Sequence, residues 1–184
     1  MSRCAVFVQE NNLGCYDVVH ELVSERLGMT QFIETMLQPF ISRNLKGIEI
    51  AAIIGDPAGE KKNENDMTSC FDILHEAGFM IQGCSTNLIT PRLEGVRNCL
   101  NTLVEGKAKL RVSRKNCPVI REGLLGGYEY KRLKVLGSDV YDNKPNKNFY
   151  SHSQDALQYI ILYLTAQSMS IKEPVAYEPH LMRL

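Results

Sequence analysis

Ile48-Glu49-Ile50-Ala51-Ala52-Ile53-Ile54-Gly55-Asp56-Pro57-Ala58-Gly59 is the stretch on which the reading of this chain turns. Residues 48–54 are mostly apolar and β-branched, the pattern of a strand buried on both faces of a sheet. Gly55-Asp56-Pro57 ends the run abruptly, since proline has no N–H to give a ladder and Asp-Pro favours a turn. An aspartate is thereby set at the carboxyl end of a buried strand, where ligands collect in open α/β sheets. Asp56 reads equally as a plain turn residue.

Upstream, residues 4–9 (CAVFVQ) form an expected strand, residues 10–14 a hairpin turn, and residues 15–23 the returning strand. Residues 29–43 carry Phe32, Ile33, Met36, Leu37 and Phe40 at helical spacing. Thr30 is the expected N-cap, Glu34 complements the dipole, and Pro39 should weaken or kink the helix end. Downstream, a polar loop over 60–66 leads to an expected helix over 67–76, with Asp66 as cap and Gly78 as stop. A short strand over 79–82 and a helix over 89–103 follow, the latter with Pro91 near its first turn and Gly106 after it. The later part reads as a basic strand (108–112), a short helix (117–123), a strand (128–135) and a polar loop (137–148). The final helix covers 153–166, with Ala156, Leu157, Ile160, Ile161 and Leu164 as its apolar stripe. The expectation is one mixed α/β domain over residues 1–166 and a loose tail over 167–184.

The chain has 184 residues, enough for one domain with its own core, and is 44% hydrophobic and 23% charged, an ordinary globular mix. No apolar run is long enough to span a bilayer, and the start, MSRCAV, lacks the pattern of a secretory signal. No two of the six cysteines are closer than eleven positions, which gives no zinc spacing and points to buried free thiols in a reducing compartment. Formal net charge is zero, yet residues 1–105 hold 8 basic and 14 acidic side chains while residues 106–184 hold 13 and 7. Such asymmetry fits an anionic partner on one face, or two halves that lie against each other.

Besides Asp56, Asp155 falls in the first turn of the last helix, where it also reads as a capping acid behind Ser151 or Ser153. His152 precedes it by three and shares its direction if that turn is helical. Lys144-Pro145-Asn146-Lys147-Asn148 is a basic, amide-rich loop able to hold a phosphate beside carboxylates.

Taken in order, these signals resemble the nuclease domain of phage terminase large subunits, the DNA-packaging motors. The resemblance rests on Leu22-Val23-Ser24-Glu25, Gly55-Asp56-Pro57-Ala58-Gly59, Cys70-Phe71-Asp72-Ile73-Leu74, and Arg92 and Arg97. It continues through Gly126-Gly127-Tyr128, Lys144-Pro145 with Lys147-Asn148, and Ser151-His152 with Asp155-Ala156-Leu157-Gln158-Tyr159, covering roughly residues 3–166. It implies a ribonuclease H-like mixed sheet flanked by helices. The implied activity is a two-metal endonuclease that cuts concatemeric viral DNA, its metal held by a trio of acids. Asp56 would be the second and Asp155 the third; His152 is a further candidate ligand from its position, although a histidine near a helix start is more often a polar surface residue. Mg²⁺ and Mn²⁺ suit such hard oxygen donors. Lys107, Lys109, Arg111, Lys131, Arg132, Lys144 and Lys147 would neutralise phosphates of double-stranded DNA. No base-reading motif is visible, which implies weak sequence specificity.

The family's first acid lies on a strand ahead of the one that begins at Cys4, so the expected domain is N-terminally truncated. It also lacks the ATPase domain, for there is no G-x-x-x-x-G-K-[ST]. The isolated chain is then expected to be inactive or very weak. Glu10, Glu21 and Asp142 are conceivable substitute ligands that match no motif. An upstream polypeptide would supply the missing strand and ATPase domain, or else Met1 is a false start within a longer reading frame. By resemblance the terminase small subunit and portal are partners, and the place of action is the procapsid portal in the host cytoplasm. Two alternatives stand beside this: a non-catalytic DNA-binding or packaging module of the same fold, and a Holliday-junction-resolvase-like nuclease. The Lys-Pro-x-Lys-Asn and Gly-Gly-Tyr segments disfavour the resolvase.

Overall fold

In the computed structural model, which describes residues 2–63, 67–135 and 138–170, the chain opens with the expected hairpin. β1 (Arg3–Glu10) and β2 (Tyr16–Ser24) pair antiparallel from Arg3↔Ser24 to Glu10↔Tyr16, with a bulge at Phe7/Val8. Gly14, at φ 71°, makes the tight return that a Cβ would strain. The Asn11 carboxamide oxygen accepts from the backbone N–H groups of Leu13 and Cys15.

Helix follows as α1 (Met29–Phe32), a π-helical turn (Ile33–Leu37) and α2 (Gln38–Asn44). Its N-cap is Gly28, not Thr30. Pro39 does not end the helix, which runs on to Asn44. Proline lacks an N–H and crowds the carbonyl four residues back, and the preceding turn widens: the Gln38 N–H bonds to Ile33 O, five residues back.

β3 is only Ile53–Gly55, paired parallel with β4 (Ile81–Gly83). The expected seven-residue strand buried on both faces is therefore not formed. Among the described residues its one neighbour is three residues long and residues 48–52 have no ladder, and Ile48 is 61% exposed. After β3 a 3₁₀ turn (Pro57–Glu60) leads to α3 (Cys70–Glu76), which starts later than expected. Its cap is Ser69, whose hydroxyl accepts the Asp72 N–H at 3.0 Å while Asp72 accepts the Ser69 N–H at 2.9 Å. The proposed cap Asp66 lies outside the described residues. Gly78, at φ 86°, stops the helix as expected, with Phe79 N–H reaching back to Leu74 O.

α4 (Ile89–Asn101) ends two residues early, because Leu103 enters a small hairpin: β5 (Leu103–Val104) against β6 (Lys107–Ala108). Glu105 and Gly106 both take positive φ, the demand of the turn that suits a two-residue loop. The expected basic strand is thereby split, and β7 (Leu110–Val112) pairs parallel with β2. α5 (Pro118–Glu122) runs into a π turn ending at Gly127. β8 (Tyr130–Val135) then pairs antiparallel with β9 (Ser138–Pro145), where a polar loop was expected. A solvated ribbon needs no apolar alternation, so β9 carries none of the pattern that marks a strand. α6 (Ser151–Ser170) begins two residues early and continues past the expected end at 166.

Three sheet segments matter for the site: the mixed sheet β1-β2-β7, the parallel pair β3-β4, and the ribbon β8-β9. On one face of β1-β2-β7, Tyr16, Val18 and Leu110 pack with Val96 and Cys99 of α4 and Leu157 and Ile161 of α6. On the other, Phe7 and Leu22 meet Phe32, Ile33 and Leu37 of the first helix, with Leu74 of α3 and Ile81 of β4. The result is a helix–sheet–helix sandwich. Among the described residues the outer edge of β1 and the outer edge of β3 have no partner strand, and α6 packs against both strands. All six cysteines are free, four of them buried, and no helix of the described residues is long and apolar enough to cross a membrane.

Candidate active site

Two glycines fix where Asp56 stands. A Cβ on Gly55 would lie 2.9 Å from the Phe71 ring, and one on Gly59 would lie 2.5 Å from it. The ring of α3 thus seats on the Gly-Asp-Pro-Ala-Gly turn, a close approach that only glycine permits. Asp56 is exposed and caps the 3₁₀ turn, its Oδ1 accepting the Ala58 N–H at 2.8 Å. The turn reading of this residue is met by that geometry.

Asp155 lies just past the first turn of α6, not within it as expected, because the helix starts two residues early at Ser151; its side chain is 18% exposed and held by two cations. Arg92 Nη1 donates to Oδ1 at 3.3 Å and Lys147 Nζ donates to Oδ2 at 3.2 Å. Arg92 comes from the buried face of α4, and its guanidinium sits 4.4 Å over the Tyr159 ring, one turn further along α6. Tyr159 links the two acids. Its hydroxyl donates to Asn87 Oδ1 at 2.5 Å. Burial, above all, pushes its ionisation upward; Arg92 opposes that shift, and the carboxylates of Asp56 and Asp155 add to it. Both acids therefore act on one phenol. Tyr128, after Gly126-Gly127, belongs to the same cluster: burial raises its ionisation, the Gln158 amide and Arg92 lower it, and Asp155 raises it.

The Lys-Pro-x-Lys-Asn segment owes its place to Asn148. Its side chain donates to Gly127 O at 2.6 Å and accepts the Tyr150 N–H at 3.0 Å, while its own N–H donates to Ser151 Oγ at 2.7 Å. This clamp ties the end of the ribbon to the start of α6 and delivers Lys147 to Asp155. His152 is exposed on α6; its backbone carbonyl accepts the Cys4 thiol at 3.1 Å, which touches β1 to the helix. Burial and the nearby Asp155 carboxylate push that thiol up to about 12.

The basic candidates are spread over three places. Lys131, Arg132 and Lys144 lie exposed on the β8-β9 ribbon, and Lys147 at its foot. Lys107 is exposed on β6. Lys109 Nζ rests 4.9 Å over the Tyr16 ring, and Arg111 clasps Asp17 through two bonds of 2.7 and 2.6 Å. The last two tie the basic half to the acidic half, so part of the charge asymmetry is spent inside the fold. Of the conceivable substitute ligands, Glu21 is used otherwise: its carboxylate accepts the N–H groups of Val119 and Ile120 at 2.6 and 2.9 Å and caps α5. Glu10 and Asp142 are exposed on β1 and β9.

Residue composition fits divalent Mg²⁺ or Mn²⁺, since Asp56 and Asp155 offer hard oxygen donors at adjoining element ends. Among the described residues no group of three or more His, Cys, Asp or Glu side chains is arranged to hold an ion. The sequence reading did not assign Arg92, Tyr159, Asn87 or Tyr128 to the site. One signal for Arg92 was present: it shares the helical face of Val96 and Cys99, where a charge must find a partner.

No protein-family model matches the chain, and no curated protein sequence does. A solved structure does: the large terminase (g2p) nuclease domain of bacteriophage SPP1, crystallised with bound Mn. The likeness has a TM-score of 0.55 at 19% identity and covers 85% of this chain and 75% of that one. With its mixed sheet between helices, the chain has the ribonuclease H-like fold of that phage terminase nuclease domain.

Proposed function

We propose that this chain is a metal-dependent DNA endonuclease domain of the large-terminase type, cutting concatemeric viral DNA during genome packaging. The observation that carries the proposal is the packing of α6, which bears Asp155, against β3, whose carboxyl end bears Asp56, in a fold shared with a nuclease domain crystallised with Mn. Asp56 and Asp155 are the metal ligands and His152 an accessory one. A divalent ion held there supplies an activated water and a clamp on the leaving oxygen. Arg92 orients Asp155. Lys131, Arg132, Lys144 and Lys147 contact phosphates of double-stranded DNA along the ribbon, with Lys107, Lys109 and Arg111 adding positive potential behind it.

The open edges of β1 and β3 beside α6 support a further part of the reading: a strand from outside the described residues, bearing a third acid, lies between them. Terminase small subunit and portal are the proposed packaging partners, at the procapsid in the host cytoplasm.

Nicking of supercoiled plasmid with Mn²⁺ tests the site in the complete protein. Asp56→Asn and Asp155→Asn each abolish cleavage with the fold retained by circular dichroism; cleavage that survives both substitutions refutes the assignment. The absence of a three-residue ligand cluster among the described residues favours a second reading, a non-catalytic DNA-binding or packaging module. Calorimetric titration with Mn²⁺ separates them, for the module binds no ion.

A further inference from the structure

We propose that Lys147 is a resident counter-ion of Asp155, which holds one carboxylate oxygen in the metal-free protein and is displaced when a divalent cation claims that oxygen. This rests on the reading of Asp155 as a metal ligand. The two cations on Asp155 are of unlike kind. Arg92 reaches Oδ1 from a position 7% exposed, fixed over the Tyr159 ring. Detaching it would leave a buried guanidinium without its counter-charge. Lys147 reaches Oδ2 with a side chain 77% exposed, and its ammonium can exchange the carboxylate for water at little cost.

Both oxygens are therefore engaged, and Oδ2 is the one a cation obtains cheaply. The backbone around Lys147 does not move with it. Asn148 is clamped to Gly127 and Tyr150, so displacement is a swing of one flexible side chain about a fixed Cα. The freed ammonium stays within a side chain's reach of the site and is available to a phosphate of the bound strand. Binding of the cation and presentation of the lysine to DNA become one event.

The test is a calorimetric titration of the full chain with Mn²⁺, comparing the unaltered protein with Lys147→Met, Lys147→Arg and Asp155→Asn. Removing a competing exposed ion pair tightens Mn²⁺ binding by about two- to fivefold in Lys147→Met. Lys147→Arg keeps the competing charge and restores the unaltered affinity, which a merely structural lysine would not predict. The gain in Lys147→Met shrinks between about 50 mM and about 0.5 M salt, as screening weakens the pair it removes. Equal or weaker binding by Lys147→Met, with ion binding intact in the unaltered protein, overturns the role of the lysine alone. Undiminished binding by Asp155→Asn overturns the metal reading itself, and no binding by any form overturns both.

Discussion

Replacing Arg92 by methionine removes the buried charge that faces Asp155 while keeping most of the aliphatic stem. Breaking one side of a buried ion pair costs about 3–5 kcal/mol. Here the remaining acid is 18% exposed and keeps Lys147, which places the cost at the low end of that range. Loss of the guanidinium over the Tyr159 ring adds about 1 kcal/mol. Against this, Arg92 Nε is buried without a hydrogen-bond partner among the described residues, and deleting it returns roughly 1 kcal/mol. The net expectation is a destabilisation of about 2–3 kcal/mol. With a urea m-value near ~2 kcal/mol/M, the midpoint of denaturation falls by about 1–1.5 M. Circular dichroism and tyrosine fluorescence should report the same shift. A double-mutant cycle with Asp155→Asn isolates the pair and should give a coupling of about 1–3 kcal/mol. A midpoint shift below about 0.3 M, or a coupling of zero, would refute the claim that Arg92 holds Asp155 in place.

Gly123→Ala tests the seam between α5 and α6. The new Cβ would collide with Gln154 Nε2, which donates to Ile120 O at 2.8 Å in a buried setting. Forcing that amide aside orphans a donor and an acceptor and costs about 2 kcal/mol, so thermal unfolding should shift down by roughly 4–8 °C; an unchanged midpoint would disprove the contact. Glu21 gives a pH test. Burial raises its carboxyl above the ordinary 4.5, against the lowering by the two backbone N–H bonds, so the folded state binds more protons than the unfolded one. The Glu21 contribution is complete below pH 4.5 and is lost as pH rises through the folded value. Unfolding free energies measured between about pH 4 and about pH 7 should show this decline in the unaltered protein but not in Glu21→Gln. A parallel slope in both would exclude Glu21 as its source.

What the sequence disclosed depended on how local each signal was. The first hairpin, the glycine stop at Gly78 and the amphipathic α6 are written in turn chemistry and periodicity. The strand before Asp56 was legible in kind but not in extent, because its length depends on a neighbour that β4 provides over only three residues. β9 was illegible, since a solvent-exposed ribbon imposes no alternation. Asp56 and Asp155 drew attention by their places at a strand end and a helix start. Tyr159, whose ionisation both acids raise, did not, because at helical spacing it reads as an ordinary core aromatic. The charge count is silent on pairing: Arg111 and Lys109, expected to face DNA, also contact Asp17 and Tyr16 of the neighbouring strand. Pairing between halves is a tertiary fact that composition does not carry.

The two open strand edges bear on how the molecule holds together as a unit. The β1-β2-β7 sheet and the β3-β4 pair share no ladder among the described residues; side-chain packing, with α6 lying against both β1 and β3, is what joins them. Cooperativity between the two halves therefore travels through side-chain packing and not through backbone pairing. The segment that carries Asp56 becomes a candidate foldon, free to open below the energy of global unfolding. Any strand that bridged those edges would raise the local opening energy of the Asp56 turn towards the global value, tightening the site without touching a carboxylate.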